Sequence, residues 1–258
     1  MDITLPAEIS RDFIYSCMGF GNHTPDPASL QLIDTCCEMV LSAAVPRQVH
    51  RVFPLERQQE GGFYLSNPQN SLAGQAITDH LQGCTHCLLL AVTLGVQVDN
   101  LIRRAQVTDM AKAVALDACA SSLVEDICDQ INDQLQAEYA QQGMDLTFRF
   151  SPGYGDFPLE SQRLFSQLLE MGKKIGLTHS REHLLLPRKS VTALIGIFPA
   201  GSRQSQKQQE IGEGTEAEDK PFESGIGSGD SGARACQICS LKDTCALRAA
   251  GGYCGKRT

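Results

Sequence analysis

DMAKAVALDACASSLVEDICDQINDQLQAEY, residues 109–139, leads to LTFRF at 146–150 and then to SPGYGDFP at 151–158. The first segment carries Leu116, Ala120, Val124, Ile127, Ile131 and Leu135 as one stripe at helical spacing, and Gly143 stands where a left-handed residue would close the helix. LTFRF reads as a strand, and the Gly/Pro-rich segment after it as a turn. Working outward, helices are expected over 28–43 (Leu30, Ile33, Cys37, Val40, Leu41), over 71–81 (Leu72, Ala76, Ile77, His80), and from about 159 to 174, where Gly176 ends the pattern. Residues 87–95, CLLLAVTLG, form a short apolar run typical of a buried strand, and Asp99 is expected to cap the helix carrying Leu101 and Ile102. Residues 184–186 and 191–198 read as strands on either side of the Pro187-Arg188-Lys189 turn. Helices and strands mix without a regular βαβ alternation, which makes the fold α+β and not a doubly wound parallel sheet.

The whole chain has 258 residues, 22 Lys and Arg against 30 Asp and Glu, and 42% hydrophobic residues. That is enough for a sizeable core, and no apolar run approaches the ~20 residues needed to span a bilayer. The N-terminal MDITLPAEISRDF has no apolar signal core, so a cytoplasmic protein is expected. With a net charge of −8 and no Lys/Arg stripe to neutralise phosphates, nucleic-acid binding is set aside. Composition changes after Ala200. In residues 201–235, seven Gly, five Ser and four Gln dominate, and only Ile211, Phe222 and Ile226 are large and apolar. A body over 1–200, a flexible linker over 201–235 and a cysteine-bearing module over 236–258 are the expected divisions.

RFSPGYGDFP, residues 149–158, is the most informative stretch of the body. Arg149 offers a planar fork of donors that suits a carboxylate. Gly153 and Gly155 flank Tyr154 and let the backbone take positive φ or approach a ligand closely. Pro152 fixes the entry to the turn, and Tyr154 offers an aromatic face and a hydroxyl. Such a set suits an amino-acid or nucleoside ligand; an ordinary tight turn with an exposed Tyr is the competing interpretation.

Arg149-x-x-Pro152-Gly153-Tyr154-x-x-x-Pro158, then Leu168-Leu169-Glu170, Lys174, Gly176 and Pro187-x-x-Ser190-Val191, resembles the activation domain of cobalamin-dependent methionine synthase. The resemblance implies a C-shaped α+β body with a mixed or antiparallel sheet that binds S-adenosylmethionine in a shallow cleft. There it presents the methyl group to cobalamin held by a partner protein, so that inactive cob(II)alamin is reduced and remethylated. On this resemblance Arg149 holds the ligand, Tyr154 contacts it, backbone near Gly153 approaches it, and Ser190 and Val191 shape the adjoining strand. Glu125 stands where the family has an acidic residue near the ligand amino group; in projection it lies off the apolar stripe beside Ser121 and Cys128, facing either a cleft or solvent. The chain departs from the family pattern in having no Trp and no Tyr-rich stretch after Ser190. With no folate, homocysteine or cobalamin module in the chain, the resemblance implies a stand-alone partner of a methionine synthase or another corrinoid protein.

The tail carries Cys236, Cys239, Cys245 and Cys254 with the spacing Cys-x2-Cys-x5-Cys-x8-Cys. Four thiolates within one short segment suit zinc or an iron–sulfur cluster. A single Cys-x2-Cys knuckle with two isolated cysteines favours a [4Fe–4S] cluster, with zinc as the alternative. An iron–sulfur electron-transfer accessory that docks on a corrinoid protein without binding S-adenosylmethionine is therefore the second functional expectation, and either reading needs an electron donor. Cys84-x2-Cys87 precedes an apolar strand and reads as a pair of strand-edge cysteines; Cys36, Cys37, Cys119 and Cys128 read as small buried hydrophobes. His179 and His183 fall in an extended segment and need not face one ligand.

Overall fold

The computed structural model describes residues 3–20, 23–59 and 61–202. All but the first two residues of the expected linker, and the four-cysteine segment, lie outside the described residues. In chain order the elements are α1 (Arg11–Cys17), α2 (Pro27–Ala43), β1 (Arg47–Arg57), β2 (Phe63–Leu65), β3 (Ser71–Leu72), α3 (Gln75–His80), β4 (His86–Thr93) and α4 (Val96–Thr108). They continue as α5 (Met110–Ala140), β5 (Met144–Leu146), α6 (Gln162–Leu169), α7 (Met171–Ile175), β6 (Thr178–His179), β7 (Leu185–Leu186) and β8 (Ser190–Pro199).

Six strands form an antiparallel sheet in the order β3-β2-β1-β4-β8-β5, and β6 pairs with β7 in a separate hairpin. β4 is paired along its whole length on both sides, to β1 and to β8. Its side chains alternate between two cores. Leu88, Leu90 and Val92 pack with the helices α1, α2, α4 and α5; Cys87, Leu89 and Ala91 pack with α3, α6, α7 and the Phe150–Phe157 turn. A strand covered on both faces has no polar side, which is why CLLLAVTLG reads as a continuous apolar run.

Local chemistry sets the helix ends. Asp26 accepts from the Ala28 and Ser29 amides and Pro27 opens α2; Asp109 accepts from the Lys112 amide and starts α5. At 31 residues α5 spans about 46 Å, long enough to underlie the sheet and reach the cleft described below. It ends before Gly143, whose φ of +70° lets the chain reverse into β5.

Four expectations need correction. The helix foreseen from 159 to 174 is a 3₁₀ turn over Leu159–Ser161 and then α6 and α7, separated by Glu170 in the left-handed region at φ +53°. Leu169 and Met171 both sit in the same core, and in a continuous helix residues two apart point to nearly opposite sides; the break brings both inward. The helix foreseen over 71–81 forms only as α3, because Leu72 belongs to β3 and Gly74 turns the chain at φ +119°. Asp99 does not cap α4; Gly95 does, and Asp99 lies in the first turn with a different task. β1 went unforeseen altogether, and the strand over 146–150 is reduced to the end of β5 plus a bridge from Phe150 to Leu194.

Candidate functional site

Glu125 of α5, the Ser151–Tyr154 turn, the start of α6, the β6–β7 hairpin and the first residues of β8 converge on an open cleft of about 290 Å³. Its lining includes Glu125, Pro152, Tyr154, Ser190 and Val191, together with Gln162, His183 and Arg188. The volume falls at the small end of ligand pockets, so a nucleoside-sized molecule would be held on one side and left open on the other.

The turn is braced from several directions. Gly153 takes φ +95° and donates to the Phe157 carbonyl at 2.8 Å, while Tyr154 donates to Ser151 at 3.0 Å. Tyr154 is 42% exposed, and its ring stands edge-on to buried Phe150, with centroids 5.9 Å apart. Asp156 reaches out of the same turn to accept from the Gln75 and Ala76 amides at 2.7 and 2.9 Å, capping α3. A Cβ on Gly74 would lie 2.8–2.9 Å from Asp156 atoms, so the close approach that forms this cap requires glycine. Those two amide bonds hold the Asp156 carboxyl below its ordinary range.

Arg149 does not extend an empty fork. Its two terminal nitrogens donate to Glu125 and to Asp129, each at 2.9 Å, one helical turn apart on α5. The Arg149 side chain is 17% exposed and stands behind the cleft lining, while the Glu125 side chain is 36% exposed and faces the cleft. Burial raises the Glu125 carboxyl above its ordinary value, and the adjacent guanidinium opposes that rise. Arg149 therefore orients an acid at the cleft wall. A carboxylate so placed suits a cationic amine or sulfonium.

Opposing anchors hold the Pro187–Ser190 turn. Asp99 accepts from the Arg188 amide at 2.7 Å and the Lys189 amide at 3.4 Å. The Lys189 ammonium bonds Asp117 at 2.9 Å and Ser121 at 2.8 Å, and Ser190 Oγ lies 2.8 Å from both Thr93 Oγ1 and the Pro187 carbonyl. Thr192 donates to Gln162 at 2.9 Å and ties β8 to α6 across the cleft floor.

No family model matches this chain, and no curated protein does. Among solved structures the chain is similar to the MetH reactivation domain bound to AdoHcy. The two share 18% identity over 74% of each chain, with a TM-score of 0.57. The fold is that of the MetH reactivation domain.

Within this reactivation-domain fold, the residues singled out from sequence come together. Glu125, Pro152, Tyr154, Ser190 and Val191 line one cleft; Gly153 sits in the turn between two of them, and Arg149 buttresses Glu125. Gln162, Leu184 and Arg188 also line it and were not singled out, and His183, set aside with His179 as part of an extended segment, lines it too. Arg188 had a signal, its place in the turn before Ser190. His183 had none, because its exposure to the cleft depends on a hairpin whose strands are two residues each. Cys87 is wholly buried in β4, in line with the strand-edge reading of the Cys84–Cys87 pair. Among the described residues no group of three or more His, Cys, Asp or Glu is placed to hold a metal ion. Among them, too, no helix is long and apolar enough to cross a membrane.

Proposed function

We propose that this chain binds S-adenosylmethionine in the cleft and serves, as a stand-alone cytoplasmic partner, in the reductive remethylation of cob(II)alamin held by a methionine synthase or related corrinoid protein. The supporting observation is the convergence of Glu125, Pro152, Tyr154, Ser190 and Val191 on one cleft, in a fold shared with a domain whose solved structure holds AdoHcy. The cleft residues fit such a ligand. Glu125 supplies a carboxylate for the amino group or sulfonium, Tyr154 an exposed ring and hydroxyl, and Ser190 and Gln162 polar atoms around them. When bound, the ligand supplies a methyl group to reduced cobalamin. The part of the protein is to hold that methyl group outward, on the open side of the cleft, with Arg149, itself bonded to Asp129, fixing Glu125 behind it.

The electron needed for cob(II)alamin reduction is assigned, in this proposal, to an external donor acting through a [4Fe–4S] cluster on Cys236, Cys239, Cys245 and Cys254. The spacing of those four cysteines is its support, with zinc as the alternative. Mixing the chain with a cob(II)alamin-loaded corrinoid protein, a reductant and S-adenosylmethionine tests the function. The expected result is conversion of the cob(II)alamin spectrum to that of methylcobalamin, dependent on the chain. Equal conversion without the chain would overturn the proposal. Iron analysis of anaerobically purified protein, with Cys239→Ser and Cys245→Ser as controls, decides the cluster: stoichiometric zinc without iron would remove the electron-transfer role.

A further inference from the structure

His183 is 8% exposed and is one of the residues that line the cleft. Its Nδ1 is buried without a hydrogen-bond partner, and its backbone takes φ +63°, a conformation that residues with side chains seldom adopt. The surrounding hairpin holds it there. The His183 amide donates to the Ser180 carbonyl at 3.1 Å, Ser180 donates to Leu184 at 2.8 Å, and the His179 ring packs 5.5 Å from the His183 ring. A strained backbone and an unsatisfied buried nitrogen both cost stability, and neither improves the packing of the hairpin. A half-turn about the Cβ–Cγ bond exchanges Nδ1 with Cδ2. It puts carbon in the slot that lacks a partner and carries the nitrogen to the ring's other edge.

We propose that His183 reads the ligand: on binding, its imidazole turns to bring Nδ1 into a hydrogen bond with a neutral polar group of the molecule in the cleft. On an adenosyl ligand that group is a ribose hydroxyl, which can both donate and accept and so suits either tautomer of a neutral imidazole. The inference rests on the proposed S-adenosylmethionine site and adds to it a residue that sets affinity for the nucleoside part.

Two variants of the whole protein separate a ligand-reading role from a structural one. His183→Phe keeps the ring and removes both nitrogens. His183→Asn returns a polar atom close to the position of Nδ1 and tolerates positive φ. Thermal unfolding and calorimetric titration with S-adenosylmethionine are measured on each. The expected results are a His183→Phe variant with a Tm equal to or above that of the wild type and affinity at least tenfold weaker. His183→Asn should bind within about threefold of the wild type. In the wild type, the imidazole nitrogen resonances of His183 should shift on saturation. Unchanged affinity in His183→Phe, or a fall in its Tm, would overturn the inference while leaving the site intact. A wild-type protein that binds no S-adenosylmethionine would overturn the functional proposal and this inference together.

Discussion

Arg149 draws its two carboxylates from successive turns of α5, and removing it would leave Glu125 and Asp129 facing each other without a counter-charge. Loss of one partner from a fully buried ion network costs several kcal/mol; here the acids are partly open, so Arg149→Ala should lower unfolding free energy by about 1–3 kcal/mol in denaturant melts. Glu125→Gln keeps the shape of the cleft wall and removes its charge. It should weaken S-adenosylmethionine binding by about 1–3 kcal/mol in a titration while leaving the protein folded. At this scale the sequence was informative about which residues gather at the cleft and less so about the contacts among them. Glu125 stood out through the family resemblance, which implies an acid near the ligand amino group; the helical projection alone left it facing either a cleft or solvent. That Arg149 would spend its fork on Glu125 and Asp129 was not legible, because the separation of 24 positions between Arg149 and Glu125 gives no register between helix and strand.

Turn chemistry carries the correct and incorrect readings of the elements. Asp109 with an apolar stripe announced α5, and the Pro-Gly-Tyr-Gly segment announced a turn that positive φ at Gly153 and Gly155 realises. β1 was hidden because only Phe53 along it is buried and Pro54 interrupts it, so neither alternation nor a clean run appears. The break at Glu170 was hidden because α6 and α7 share one helical apolar spacing in sequence. Glu170→Val should destabilise by about 1–2 kcal/mol, since a β-branched residue fits the left-handed region poorly, and Glu170→Asn should be nearly neutral. The α3 cap yields a pH signature. The folded-state carboxyl of Asp156 titrates below its ordinary 3.8, so its stabilising effect is present above that value and is lost as pH falls through the depressed one. The wild type should therefore exceed Asp156→Asn in stability near neutral pH, and the difference should shrink in melts at pH below about 4.

Across the whole molecule, an antiparallel sheet lies between two cores, and the cleft opens where the long helix, the PGYG turn and the start of β8 meet. The α+β class was legible because helical stripes and apolar strands appeared in an order that no βαβ repeat could produce. The two-sided burial of β4 was not, since an apolar run does not say what covers each face. The shared fold with the MetH reactivation domain makes one ligand class the natural test, and the arrangement around Glu125 makes one residue its natural control. Isothermal titration of the whole chain with S-adenosylmethionine measures this directly. The expected result is saturable binding at one site per chain, weakened by Glu125→Gln; a folded wild-type protein that shows no saturable binding would contradict a ligand site in this cleft.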